Sequence, residues 1–165
     1  MSGDEFGIRP GEAMASLPAS FDAGLHFIGR LRTPWRTRAE CPKNGLHTEA
    51  LCTVEVDPTY APGLRNVTGC THLILIYWMD QATRGLVVQQ PRHADGPRGT
   101  FSLRSPARPN PLALAVVELI GREGDVLRVR GLDCIDGTPL LDITPYYAST
   151  DSRPEARVDR AGAPS

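Results

Sequence analysis

The run Thr71-His72-Leu73-Ile74-Leu75-Ile76-Tyr77-Trp78-Met79 is the most hydrophobic stretch of the chain. Its short length, β-branched content and aromatic end mark a central strand rather than a helix. Asp80 and Gln81 follow it abruptly. A second run, Leu112 to Ile120, is apolar except for Glu118 and reads as another central strand. Two strands of this kind in one chain demand further strands to cover them.

Between these runs lies Gly99-Thr100-Phe101-Ser102-Leu103-Arg104-Ser105-Pro106-Ala107-Arg108-Pro109-Asn110-Pro111. Each proline fixes its own φ and drives the preceding residue out of the helical region, so the segment is extended and stiff. It holds Arg104, Arg108 and Asn110 in set directions. Two readings stand: a proline-rich corner with solvated arginines, or a rigid mount for ligand recognition.

Outward from there, shorter strands alternate with turn signals. Leu25 to Leu31 and Glu49 to Val56 precede the central run. Leu86 to Gln90 and Thr100 to Leu103 flank a Pro- and Gly-bearing loop. Val126-Leu127-Arg128-Val129-Arg130 alternates, leaving one face wet, and Leu140 to Ile143 is the last strand. Asn44-Gly45 marks a tight turn, as does Asp136-Gly137-Thr138-Pro139. Short helical turns are expected near Glu12 to Leu17 and Tyr60 to Asn66. About eight short strands without a long helix predict an all-β fold, a single compact β-barrel. Its expected boundaries are residues 24–148, with a flexible N-terminal arm over 1–23 and a loose C-terminal tail over 149–165.

Composition narrows the function. Of 165 residues, 41% are hydrophobic and 22% charged, in the range of a soluble globular domain. No apolar run approaches the ~20 residues of a membrane helix, and no signal pattern opens the chain, so a cytoplasmic protein is expected. Cys41, Cys52, Cys70 and Cys134 form no CxxC pair, and His26, His47, His72 and His93 are scattered, so no metal is expected. No glycine-rich strand-to-helix phosphate loop occurs.

Charge gathers in two places. Four arginines (Arg92, Arg98, Arg104, Arg108) against Asp95 alone give a local +3 between Gln89 and Leu114, in a chain of net charge −1. Such a patch suits phosphate or carboxylate, which arginine holds bidentately. Asp133, Asp136 and Asp142 form an acidic group around the Gly137 turn. Asp136 reads either as the first residue of a β-turn or as a ligand carboxylate.

The motifs Arg104-Ser105-Pro106-Ala107-Arg108-Pro109-Asn110-Pro111 and Leu132-Asp133-Cys134-Ile135-Asp136-Gly137-Thr138-Pro139-Leu140-Leu141-Asp142-Ile143-Thr144-Pro145-Tyr146 resemble those of the TsaA-like family, of TrmO type. Supporting pieces run in order from about Leu25 to Tyr147. The resemblance implies a β-barrel homodimer that binds S-adenosyl-L-methionine without a Rossmann fold. It implies methylation of the exocyclic nitrogen of threonylcarbamoyladenosine beside the tRNA anticodon. By matching positions it assigns the cofactor to Lys43, Asn44, Gly45, Met79, Asp80, Arg104, Leu114, Asp136, Gly137, Thr138 and Pro139. In that scheme Asp80 or Asp136 takes the ribose hydroxyls or the ammonium, Arg104 the carboxylate, and turn amides the adenine edge. Arg92, Arg98, Arg108 and Asn110 are the candidate substrate-binding residues. No catalytic residue is assigned, since a sulfonium is already activated and alignment supplies most of the acceleration. Trp35, Tyr146 and Tyr147 are the expected dimer anchors. The family's Pro-Ile-Gly-Leu is Pro111-Leu112-Ala113-Leu114 here, and the extra C-terminal domain of longer members has no counterpart in this sequence. Two alternatives remain open: a methyltransferase with another RNA or small-molecule acceptor, and a non-catalytic nucleotide- or RNA-binding barrel.

Overall fold

Leu73, Leu75 and Tyr77 lie on one side of the central run and are all buried, while the residues between them are half-exposed. That alternation is the signature of a strand with one inward face. The computed structural model describes residues 8–92 and 94–158; the first seven residues of the expected arm, His93 and residues 159–165 of the expected tail lie outside them. In chain order the strands are β1 (Ala13–Met14), β2 (Gly29–Arg32), β3 (Cys52–Val56), β4 (His72–Trp78), β5 (Leu86–Gln89), β6 (Arg98–Gly99), β7 (Leu112–Glu123), β8 (Val126–Arg130) and β9 (Pro139–Pro145), and a short helix α1 (Ala148–Asp151) follows.

Six strands close a barrel in the order β2-β3-β8-β7-β4-β9, every pair antiparallel. β9 completes it by pairing with β4 from Leu73↔Pro145 to Tyr77↔Leu140 and with β2 at Gly29↔Leu140 and Arg30↔Pro139. A barrel this narrow is filled by side chains rather than hollow. Leu31, Val54, Leu75, Val117, Leu127, Val129 and Leu140 are all 0% exposed within it. The outer positions of β7 (Leu112, Leu114, Val116 and Ile120) remain exposed. Its apolar run, broken only by Glu118 up to Ile120, thus reflects two apolar faces, not two buried ones.

The all-β barrel agrees with the sequence, but six strands form it rather than about eight. β5 pairs instead with β1 and β6 in a separate three-stranded sheet. Thr100 to Leu103, expected as a strand, coils into a 3-10 turn over Thr100–Ser102. The reason is local. Thr100 is fully buried and its hydroxyl donates to the Leu86 carbonyl at 2.9 Å, a bond made inward rather than along a ladder. Similarly, the expected helical turn at Glu12 to Leu17 contains β1.

The chain divides into two compact units. Ala23–Asp80 with Leu112–Ser152 forms the barrel unit; Gln81–Pro111 forms the other with the described parts of Met1–Asp22 and Arg153–Ser165. In the second unit the buried Gln89 is the cross-tie. Its Nε2 donates to Thr100 Oγ1 at 2.9 Å and to the Ala107 carbonyl at 2.6 Å. Glu12 accepts from the Gln90 amide at 3.1 Å and from Arg9 at 2.8 Å, and bonds from the Arg9 backbone hold its carboxyl below the usual range.

Two outcomes test this packing. Leu75→Ala removes a fully buried side chain from the barrel and should cost about 2–5 kcal/mol, read as a lowered urea midpoint. Burial pushes the Cys52 thiol up to about 11 and that of Cys134 to about 12. Exposed in the unfolded chain, both titrate near the ordinary 9.0. The unfolded chain therefore sheds these protons first, so stability is complete below about pH 9 and falls as pH rises through 11. Neither thiol should react with iodoacetamide in the folded protein at pH 8; rapid alkylation of both would contradict the packing.

Candidate functional site

Strand direction places most of the candidate residues at one end of the barrel. β2, β4 and β8 finish there, and β3, β7 and β9 begin there, as Arg30↔Pro139, Cys52↔Val129 and Trp78↔Leu112 show. Lys43, Asn44 and Gly45 lie in the β2–β3 connection, Met79 and Asp80 directly follow β4, and Leu114 is the third residue of β7. Asp136, Gly137 and Thr138 are in the β8–β9 connection, and Pro139 opens β9.

The β2–β3 connection is seated by a close approach. Asn44 Oδ1 accepts from the Leu46 amide at 2.9 Å, capping the 3-10 turn Gly45–His47. A Cβ on Gly45 would sit 1.8 Å from the Gly131 carbonyl, so only glycine lets this turn lie against the end of β8. Lys43 is exposed beside it.

The Asp136 turn is pinned to β2 and the segment after it. Gly137 has φ +81°, and its amide donates to the Leu31 carbonyl at 2.8 Å. The Asp136 amide donates to the Trp35 carbonyl at 2.7 Å, and Asp136 Oδ1 accepts from the Thr33 amide at 3.1 Å. Arg30 donates to the Gly137 carbonyl at 2.9 Å, and Arg32 approaches Asp136 Oδ2 at 3.9 Å. The Thr138 amide donates to the Ile135 carbonyl at 3.3 Å. The amides of Asp136, Gly137 and Thr138 thus each donate within the chain. Exposed carboxylate remains at Asp136 and Asp80, and exposed apolar surface at Leu114.

The arginine candidates lie in the second unit and divide in role. Arg108 Nε donates to the Ser105 carbonyl at 2.8 Å, and its Nη2 to the Leu103 carbonyl at 2.5 Å. Its guanidinium therefore braces the proline-rich segment from within. Asn110 Oδ1 accepts from Arg84 at 3.3 Å, while Arg84 Nε donates to the Pro109 carbonyl at 2.7 Å and stacks over Phe21 at 5.4 Å. Arg92 and Arg104 are exposed, and Arg98 is half-buried in β6. Of the expected dimer anchors, Trp35 packs half-buried on the barrel core, Tyr146 lies 6.4 Å from the His72 ring, and Tyr147 is exposed.

Sequence reasoning passed over Tyr77, Arg84, Gln89 and Glu12. The available signal for Tyr77 and Gln89 was a polar atom at a position whose strand alternation points inward. For Arg84 and Glu12 there was none. Among the described residues, no three His, Cys, Asp or Glu side chains are grouped to hold a metal, and no helix is long and apolar enough to cross a membrane. A cavity of 680 Å³ opens at the other end of the barrel, lined among others by Tyr60, Leu64, Val67, Cys70 and Ile143. It is lined by none of the candidate cofactor or substrate residues, though Asp142 of the acidic group lies on it, apart from Asp136.

Comparison with known proteins places this geometry. The model of the tRNA-methyltransferase O N-terminal domain matches residues 30–152. A probable S-adenosyl-L-methionine-binding protein, VirR of Rhizobium radiobacter, is 41% identical over 84% of this chain and 79% of its own. An S-adenosyl-L-methionine-binding protein of Archaeoglobus fulgidus is 38% identical over 77% of this chain and 91% of its own. The tRNA (adenine(37)-N6)-methyltransferase of Escherichia coli is 31% identical over 81% of this chain. The crystal structure of TrmO from Pseudomonas aeruginosa superposes with a TM-score of 0.71 at 28% identity over 86% of this chain. This chain spans 62% of the Escherichia coli enzyme's length and 64% of the Pseudomonas chain. With the matched model covering the barrel strands from the second residue of β2 onward, the chain belongs to the family of the tRNA-methyltransferase O N-terminal domain.

Proposed function

We propose that this protein is an S-adenosyl-L-methionine-dependent methyltransferase of TrmO type, acting on adenosine beside the anticodon of tRNA and N-methylating threonylcarbamoyladenosine there. The observation that carries the reading is the gathering of the family's motif positions at one end of the barrel, from three separate connections. The donor set there fits the cofactor. Carboxylates at Asp80 and Asp136 suit ribose hydroxyls or an ammonium, exposed Lys43 suits a carboxylate, and Leu114 with half-buried Met79 offers an apolar face to adenine. In the other unit Arg104 is the matching cation.

When bound, the sulfonium supplies a methyl group already activated for transfer. The chain's part is to bind, align and exclude water. The pinned Asp136 turn and the Gly45 seat give that alignment rigid supports, which a site on free loops would lack. Arg92 and Arg98 are the cations proposed to meet tRNA phosphates, with weak, salt-sensitive binding expected from so few contacts. The protein acts as a homodimer in this reading. Supporting that, outward-facing Leu112, Leu114 and Val116 pair across the ladder with Trp78, Ile76 and Ile74, giving an apolar outer face rather than isolated residues.

The test is transfer of labelled methyl from S-adenosyl-L-methionine to tRNA, with the product nucleoside identified by mass spectrometry. Label in N-methylated threonylcarbamoyladenosine is the expected result; label in another nucleoside or in a small molecule moves the acceptor. Arg104→Ala should weaken S-adenosyl-L-methionine binding by roughly 1.5–3 kcal/mol, measured by calorimetry. Arg92→Ala with Arg98→Ala should flatten the salt dependence of tRNA binding and leave cofactor affinity intact. Sedimentation at micromolar concentration should give twice the chain mass, and Val116→Glu should return it to one.

A further inference from the structure

Tyr77 is the last inward-facing residue of β4 and is 3% exposed. Its hydroxyl donates to Asp133 Oδ1 at 3.2 Å. A buried phenol needs an acceptor, but a backbone carbonyl would serve; here the chain supplies a carboxylate. The register between β4 and β9 slips at this point, with Ile76 opposite Asp142 and Tyr77 opposite Leu140. Bulges at barrel rims re-aim side chains in this way.

Asp133 itself is half-buried, between Leu132 and Cys134, which are 0% and 1% exposed. It precedes the Asp136 turn in the β8–β9 connection, and Tyr77 stands two residues before Met79. Cys41, in the β2–β3 connection, feels its charge: burial first, and then the Asp133 carboxylate, push that thiol up. Asp133 therefore stands where the three barrel segments carrying the candidate cofactor residues meet. Among the described residues, titratable groups that interact with it include Tyr77 from β4, Cys41 from the β2–β3 connection and its own neighbour Cys134.

We propose that Asp133 is the proton acceptor of the methyl transfer and that Tyr77 is its positioning residue; this rests on the methyltransferase reading above. An exocyclic carbamoylated nitrogen bearing a hydrogen must lose that proton to end as a neutral N-methylated urea nitrogen. Its lone pair forms the N–C bond as the C–S bond breaks, and the sulfur keeps the bonding pair and becomes a neutral thioether. The N–H proton passes to the Asp133 carboxylate, which later releases it to water. Asp136 is already committed to the Thr33 amide, and Asp80 is exposed to solvent. Asp133 alone among the three is both half-buried and oriented by a buried donor, the arrangement that suits general-base work.

Asp133→Asn tests this cleanly, because asparagine still offers Tyr77 an oxygen acceptor while losing the base. With purified full chain, single-turnover methyl transfer to tRNA is measured against pH, alongside S-adenosyl-L-methionine affinity by calorimetry and the thermal midpoint. The expected result is affinity and midpoint close to wild type, a rate lower by about 100-fold or more, and loss of the acid limb of the profile. Carboxyl ¹³C NMR of the protein alone should show one titration absent from the asparagine variant, with its midpoint at that acid limb. Tyr77→Phe keeps the carboxylate but removes its hydrogen bond, so the kinetic limb and the NMR midpoint should move up together. An asparagine variant with the wild-type rate or an intact acid limb overturns the proposal, as does a phenylalanine variant in which neither midpoint moves. A wild-type protein that transfers no methyl to any nucleoside overturns the tRNA-methyltransferase reading itself, a result distinct from either.

Discussion

Closure of the barrel depends on β9, which hydrogen-bonds on both edges at once. Along one edge it follows β4 for most of its length; along the other it holds β2 by only Leu140 and Pro139. The second seam is short, and the chain reinforces it from beside the ladder. The Leu31 amide donates to the Thr138 carbonyl, the Gly137 amide to Leu31, and the Ile28 amide to Leu140. A left-handed glycine at 137 is what lets the turn face β2 from both sides. The closing seam and the Asp136 turn are therefore one construction. The rigidity that the proposed site needs follows directly from the hydrogen bonds that shut the sheet and remove its open edges.

That coupling explains why the motif around Asp136 is read twice by the physics. As a β-turn it satisfies local backbone; as part of the barrel end it presents a carboxylate. The two roles divide between atoms of one residue, since Oδ1 serves the Thr33 amide while Oδ2 stays near Arg32. The proline-rich segment behaves likewise. Its prolines stiffen it, but its placement comes from Gln89, Arg84 and Arg108, each donating to a backbone carbonyl of the segment.

The parts of this architecture that were legible in the sequence are those with long, regular patterns. Leu73 to Trp78 announces a strand by composition, and Val126 to Arg130 by alternation. What escaped depends on contacts between distant residues. β1 has two residues and no pattern of its own; it exists because β5 offers it an edge. Thr100 looks strand-like, yet a buried hydroxyl bonded to Leu86 decides its conformation. The apolar run of β7 reads as a central strand, but composition alone does not tell a covered face from an outward apolar one. At the candidate site, the family motifs marked Asp136 and Arg104, whereas Tyr77 was absorbed into an apolar run. Only its pairing with Asp133, far along the chain, reveals that its ring is core and its hydroxyl is not.

The attachment of residues 81–111 has a consequence for how such a barrel can vary. Trp78 and Leu112 are direct partners across the β4–β7 ladder, so the two ends of this excursion stand about 5 Å apart. To the ladder, the whole segment is equivalent to the loop of a hairpin. A two-residue Asn-Gly turn could join the same strands without moving a single rung. The β4–β7 pairing itself therefore sets no length for the segment. The frame and its insert are free to diverge at different rates, one constrained by packing and the other by whatever it must recognise.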